Sequence, residues 1–516
     1  MTRKKFLIFF FYLFGAPLFA KSPLIEISYK FDAEIQPMNS QSQFLFFDCT
    51  GDGRKELVIQ TNRDFYIYRI DIKNKTLVFM KKISGIPPGT ESGRCQYCLG
   101  ALSPDHPRSI IVKSQTGVYY FPFNNEGLAE KPELISPITN RSDLPSVIDD
   151  FLKPARLIGA PFIQDVEGDG YDEIILGMGD EINILKICDK KPILSTPPQT
   201  KTPLFRKYKI TNQTAGISYF ETSLTSIIPS PKNNSFEILV LKNPKDAPCY
   251  EIFETLNPLG YAALPNQTLR FDKTLGKKLF DAAEQSRGDS ANQTAHELLF
   301  RRLLDINGDG WFDLVTVTSN RNFLSPLTKA DIYLSPAAAD FYVCNPSSTV
   351  RMRDPLGLAA FVDFNNDGAL DLFNLRMDYN PSSMDDVADY ILGETVRYSA
   401  NVYLFNKDKN IYPEQPDWAL PLKMKFEVFY RSISPFDVLS DFNGDGLNDL
   451  LIWADNNEAR VHLCGSKGFE KRPYFKIKGD DISLCLIDKI NNGAEEDLVL
   501  FSLKQMRINL FILGEE

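Results

Sequence analysis

Asp305-Ile-Asn-Gly-Asp-Gly-Trp-Phe-Asp-Leu314 is the stretch on which the reading of this chain turns. Side-chain oxygens stand at Asp305, Asn307, Asp309 and Asp313, and Trp311 offers its backbone carbonyl between the last two. Gly310 permits the sharp backbone turn that points those oxygens to one side. Four further stretches read alike: Asp48 to Leu57, Asp165 to Ile174, Asp363 to Leu372 and Asp441 to Leu450. Each lies between two short apolar runs. Phe44-Leu-Phe-Phe47 precedes the first and Leu57-Val-Ile59 follows it, while Leu450-Leu-Ile-Trp453 follows the last. Short apolar runs bounded by Gly and Asp clusters are strands. The repeating unit is therefore strand, acidic loop, strand.

Three weaker echoes keep the outline and lose the acidic pattern. Ser103 to Arg108 precedes Ser109-Ile-Ile-Val112, Pro229 to Ser235 precedes Phe236-Glu-Ile-Leu-Val240, and Asp488 to Gly493 precedes Leu498-Val-Leu-Phe501. Counting them gives eight units at a spacing of roughly 50 to 80 residues, the range of four-stranded propeller blades. The expected fold is all-β, a β-propeller of seven or eight four-stranded blades. Leu24-Ile-Glu-Ile-Ser-Tyr-Lys30 is placed to supply the strand that closes the last blade. Two intervals are long enough to read as insertions on the ring, about 245–296 and about 377–420. The first holds an expected short helix near Leu275 to Gln285, the second one near Met384 to Leu392.

The acidic loop suits a hard cation. Calcium takes a cluster of oxygen ligands and tolerates irregular geometry better than magnesium. An EF-hand is excluded, because that loop needs a Glu at position twelve, where this chain has Thr316, Ile59, Leu176, Asn374 and Ile452. A DG-rich loop is also a good tight turn without any ion. A turn by itself, however, needs no carboxylate at position nine.

The five loops resemble the FG-GAP/VCBS repeats of integrin α-subunit propellers and of many secreted bacterial proteins. The resemblance covers most of the chain after its first residues. It implies calcium at Asp305, Asn307, Asp309, Trp311 and Asp313. It implies the same at Asp363, Asn365, Asp367, Ala369 and Asp371, and at Asp441, Asn443, Asp445, Leu447 and Asp449. Two loops depart from the pattern and are expected to bind weakly or not at all. One has Asp48, Thr50, Asp52, Arg54 and Glu56; the other has Asp165, Glu167, Asp169, Tyr171 and Glu173. Such ions are expected to be structural, since clustered carboxylates repel when bare. The resemblance often implies seven blades, whereas the motif count favours eight.

The remaining composition narrows the function. The chain has 516 residues, 43% hydrophobic and 24% charged, so it can build a real core. Its formal net charge of -10 argues against a nucleic-acid partner. Thr2-Arg3-Lys4-Lys5 followed by the apolar run Phe6 to Ala20 reads as a signal peptide, residues 1–20, ahead of a propeller over 21–516. A secreted, periplasmic or cell-envelope location follows, with no transmembrane span after cleavage. The eight cysteines are too sparse for a disulfide framework, and Cys95-Gln-Tyr-Cys98 reads as a local disulfide or two core thiols rather than half a zinc site.

Two function classes remain. The first is a non-catalytic binding or adhesion module for a protein or carbohydrate ligand at the cell surface. The second is a secreted propeller enzyme, such as a calcium-dependent polysaccharide lyase. Neither GxSxG nor a P-loop is present, and His106, His296 and His462 each lack the neighbours of a base or metal ligand. Arg287-Gly288-Asp289 matches the tripeptide by which adhesive ligands engage integrins. Such a triplet arises by chance in roughly one in ten chains of this length.

Overall fold

A computed structural model describes residues 24–31, most of 43–137, the strand residues between 163 and 271, and most of 297–514. Those residues form eight sheets, each built on four antiparallel strands, and a short strand, Asp340–Val343, adds to the fourth sheet in parallel with Gln267–Phe271. In chain order, sheet one is Gln43–Phe47, Glu56–Gln60, Asp64–Asp71 and Thr76–Ser84. Sheets two to four follow over 96–137, 163–211 and 225–271. Sheet five is Glu297–Leu304, Asp313–Ser319, Thr328–Tyr333 and Ser348–Met352. Sheet six is Ala359–Val362, Asp371–Met377, Thr395–Tyr403 and Trp418–Lys425, and sheet seven is Phe436–Ser440, Asp449–Trp453, Glu458–His462 and Phe475–Lys478.

The last sheet joins the two ends of the described chain. Leu484–Asp488, Asp497–Ser502 and Arg507–Ile512 pair in sequence order, and Ile25–Lys30 completes the sheet from the far end. The register runs from Ile25 opposite Ile512 to Lys30 opposite Arg507. This is the closing strand that the sequence places there.

Among the described residues, four cores lie between neighbouring sheets. One core joins sheets six, seven and eight through Phe373, Phe436, Trp453 and Leu500. A second joins sheet eight to sheet one through Ile27, Phe501, Phe44 and Ile59. Sheets one and two share a third around Phe65, Phe121 and Ile110, and sheets five and six a fourth around Val315, Ile332, Leu372 and Tyr403. Consecutive pairing closed by the first strand makes the molecule a β-propeller. Burial follows from it: second strands are covered on both faces, so Asp313–Ser319 and Asp449–Trp453 are buried at every residue. Outer strands alternate or face water, as Trp418–Lys425 does.

The inserted material is narrower than the spacing of acidic loops suggests. Cys249–Leu256 and Gln267–Phe271, within the interval 245–296, are the third and fourth strands of sheet four. In the second interval two stretches leave the sheet: residues 378–394, which carry helix α1 (Met384–Gly393), and residues 404–417, which connect the third strand to the fourth. The reason is that third and fourth strands carry no acidic loop and so leave no repeat signature. The expected helix near Leu275 to Gln285 lies outside the described residues. Among the described residues no helix is long and apolar enough to cross a membrane.

Candidate functional site: the ring of acidic loops

Each complete acidic loop joins the first strand of its sheet to the second, and its backbone is organised by its own side chains. In the loop of sheet five, Asp305 Oδ1 accepts the Gly308 and Asp309 N–H groups at 2.9 and 3.1 Å, and Oδ2 accepts Gly310 N–H at 2.9 Å. Asn307 Oδ1 accepts Asp309 N–H, and Asp309 Oδ1 accepts Trp311 N–H. The Asn307 amide then donates to Asp309 Oδ2 at 2.9 Å. The loop at Asp441 repeats these bonds and the loop at Asp363 repeats all but the one at position four, with Asn365 donating to Asp367 at 3.1 Å and Asn443 to Asp445 at 2.9 Å. Positions one, three and five therefore converge at the exposed tip of all three loops.

Position nine behaves differently. Asp313, Asp371 and Asp449 are fully buried at the head of their second strands. One oxygen of each accepts the N–H at position two of its own loop: Ile306, Phe364 and Phe442, at 2.9, 3.0 and 2.9 Å. The other oxygen accepts an N–H just beyond the third strand: Ser335, Phe405 and Cys464, at 2.7, 2.9 and 2.8 Å. The carboxylate is a clip between two loops of one sheet. Burial pushes these carboxyls up, to about 8 for Asp313 and about 7 for Asp371 and Asp449, against the pull of the backbone donors.

The same clip occurs in a unit without the acidic pattern. Asp497 is buried and accepts Ile490 N–H and Leu513 N–H, both at 2.8 Å. Counting back from it puts Lys489 and Gly493 where the complete loops have Asp. Position nine is thus retained where positions one and five are lost, and its acidity has a backbone explanation that needs no ion. Sequence reading passed over Asp497; the available signal was the Asp-Leu pair heading the strand, shared by Asp313-Leu314, Asp371-Leu372, Asp449-Leu450 and Asp497-Leu498.

For a hard cation the donor type fits at positions one, three and five: two carboxylates and an amide oxygen. Among the described residues, no three Asp, Glu, His or Cys side chains converge on one metal-sized point. The position-nine oxygens, fully buried at the heads of the second strands, are the ones held back from the exposed tip. Burial also raises Asp305, and the Asp309 charge adds to it, so an ion at the loop tip would relieve repulsion.

In the first loop, Glu56 is buried and takes Cys49 N–H at 2.7 Å and the Thr50 hydroxyl at 3.3 Å. Asp52 is exposed and caps Arg54 N–H at 2.9 Å, and Asp48 is half-buried. In the second loop, Asp165, Glu167 and Asp169 lie outside the described residues. Tyr171 is half-buried, and Glu173 heads the strand Glu173–Met178. Arg287-Gly288-Asp289, His106, His296 and Cys95 also lie outside them. Cys49, Cys464 and Cys485 are buried free thiols. His462 is buried, its Nδ1 2.8 Å from the Glu470 carbonyl, and burial lowers its basicity.

The loops stand side by side on one face of the ring. The position-eight N–H of one loop donates to a carbonyl at position one or two of the loop before it: Leu370 to Ile306, Glu496 to Asp441, and Lys55 to Ile490. The Cys464 thiol reaches the Phe364 carbonyl, and Lys55 pairs with Asp488 at 2.7 Å. Lys407 adds a cation at the seam between sheets five and six, donating to the Asp367 carbonyl at 2.9 Å.

No protein-family profile matches the chain, and no curated protein sequence does. Among solved structures it is similar to the exotype rhamnogalacturonan lyase YesX, at 10% identity and a TM-score of 0.31, covering 96% of this chain and 76% of that one. It is similar to the Dos1 propeller at 10% identity and a TM-score of 0.36, covering 91% and 88%. It is also similar to an Agrocybe aegerita lectin that recognises non-reducing terminal N-acetylglucosamine, at 15% identity and a TM-score of 0.34, covering 74% and 85%. The propeller assignment rests on the sheets, their shared cores and the closing strand.

Proposed function

We propose that the chain is an exported FG-GAP/VCBS-type propeller whose complete acidic loops bind calcium for structure, and that it acts as a non-catalytic binding module for a protein or glycan at the cell envelope. The observation that carries the calcium reading is the threefold recurrence of one loop geometry, with positions one, three and five gathered at an exposed tip. The binding reading draws on the architecture: a ring of sheets presents its connecting loops together, and loops on a rigid scaffold are common carriers of recognition. The lectin's glycan and the lyase's polysaccharide, as those proteins are named, agree with a carbohydrate among the ligands.

Thermal unfolding of the full chain in calcium and in excess EDTA tests the ion. A ligand that binds only the native state raises the midpoint by mass action. An unchanged midpoint rejects calcium binding. A panel of glycans and envelope proteins, screened at constant calcium, tests the binding role. Release of unsaturated sugar products during that screen would replace it with the lyase alternative.

A further inference from the structure

A groove of about 410 Å³ opens beside the acidic loop of sheet five, at the seam with sheet six. Asn307 and Asp309 line it from the loop tip. Leu334, Ser335 and Pro336 line it from the chain beyond the third strand of the same sheet, and Lys409, Asn410 and Ile411 from the connection between the last two strands of sheet six. Its volume lies within the range of small-molecule sites.

The groove is held in shape from behind. Ser335 hangs by its N–H on Asp313, and its hydroxyl accepts the Gln267 amide at 3.2 Å. The Asn406–Ile411 turn is closed by paired backbone bonds, and Asn406 Oδ1 accepts Lys409 N–H at 3.0 Å. Buried Tyr412 anchors that turn: its hydroxyl donates to the Leu370 carbonyl of the same sheet at 2.6 Å, and its N–H crosses the seam to donate to Ser348 Oγ at 3.1 Å. Asn410 keeps a left-handed backbone at φ 54°.

The lining mixes donors, acceptors and apolar carbon. Asp309 accepts hydrogen bonds, the Lys409 ammonium donates them, and the Asn410 amide does both. Leu334, Pro336 and Ile411 supply apolar surface, and Ile411 is 39% exposed. Asp309 and Lys409 are the two charged side chains of the lining, one of each sign. A pyranose ring matches this set: its hydroxyls both donate and accept, and its C–H face packs on apolar carbon.

We propose that this groove binds a single neutral pyranose unit of a glycan, a reading that rests on the binding-module function above and names its ligand and place. The test uses the full chain at constant calcium. The probes are the methyl glycosides of glucose, galactose, mannose and N-acetylglucosamine, followed by saturation-transfer NMR and titration calorimetry. Lys409→Ala and Ile411→Ser lie outside the acidic loop, so neither disturbs a candidate cation ligand. Each is expected to weaken the best glycoside at least fivefold, while Lys478→Ala, on the outer strand of sheet seven, leaves its affinity unchanged. Circular dichroism and the calcium-dependent midpoint establish that each variant is folded. Failure of all four glycosides to bind overturns the proposal, as does equal binding by wild type and both groove variants. If the chain binds an envelope protein but no glycoside, the binding-module reading stands and the groove assignment falls.

Discussion

Asp449→Ala separates the backbone clip from the cation. In the native protein Asp449 is fully buried and accepts Phe442 N–H at 2.9 Å and Cys464 N–H at 2.8 Å. Truncation leaves both donors in a closed interior. An unsatisfied buried polar group costs about 1–3 kcal/mol, so the two together cost about 2–6 kcal/mol. Relief from burying a carboxylate offsets part of this, leaving about 2–4 kcal/mol as the expected loss. Asp497→Ala removes the same clip together with a third, longer bond from Asn491 N–H at 3.4 Å, and in EDTA it should lose at least as much stability. Calcium then divides them. Asp497→Ala should keep the full calcium-induced rise in midpoint, because Lys489 and Gly493 leave its loop without the acidic tip. Asp449→Ala should lose part of that rise, because its loop tip is held by the clip. Asp449→Asn should fall between wild type and Asp449→Ala, since one oxygen can still accept while the amide faces a donor. Urea unfolding at pH 7.5, with and without calcium, reads all of these. A loss below about 0.5 kcal/mol for Asp497→Ala in EDTA would refute the clip.

In cation-free protein, the Asp313, Asp371 and Asp449 carboxyls at about 8, 7 and 7 exceed their ordinary 3.8 because they are buried. The native state then binds these protons more tightly than the unfolded chain does. Their contribution is complete below about pH 4 and is lost as pH climbs through 7 to 8, so the midpoint in EDTA should fall between pH 5 and pH 8.5; a rise across that window rejects the assignment. Gly308→Ala should destabilise more than Gly446→Ala. Both glycines have positive φ, at 72° and 86°, but a Cβ on Gly308 would strike the Gly368 carbonyl oxygen, whereas one on Gly446 meets nothing within 4 Å. Thermal midpoints should show roughly 1 kcal/mol for Gly446→Ala and more for Gly308→Ala. Ile27→Asp places a charge in the core between sheets eight and one, where Ile27 is fully buried, and should unfold the closing strand first. Hydrogen exchange would then show early loss of protection along Arg507–Ile512, and uniform protection would count against the closure.

The alternation of apolar runs and acidic loops made the first two strands of most sheets legible, because Asp and Gly punctuate them. It also placed the closing strand, since Ile25, Ile27 and Tyr29 alternate with polar residues as a half-covered edge should. The third and fourth strands were harder to read, because their connections vary from the tight Asp455–Asn457 turn to the excursion that carries helix α1. The four clips were illegible for a related reason. Each joins an Asp to an N–H lying 15 to 34 residues further on, and an N–H belongs to every residue but proline. The groove draws on loops from two sheets, brought together by the core those sheets share and by the bonds from Tyr412 N–H to Ser348 and from Leu370 N–H to Ile306.

The pairing of Ile25–Lys30 with Arg507–Ile512 also sets an order of events. Ile25–Lys30 is made about 480 residues ahead of its partner, so the ring stays open until Arg507–Ile512 has been made. Until closure, the core faces of sheets one and eight are bare, Phe44 and Phe501 among them. Contacts of such long sequence separation form slowly, because the loop-closure entropy must be overcome before any contact rewards it. A chain cut short before Arg507 would carry that exposed seam permanently, which makes the strand Arg507–Ile512 a checkpoint for the whole ring.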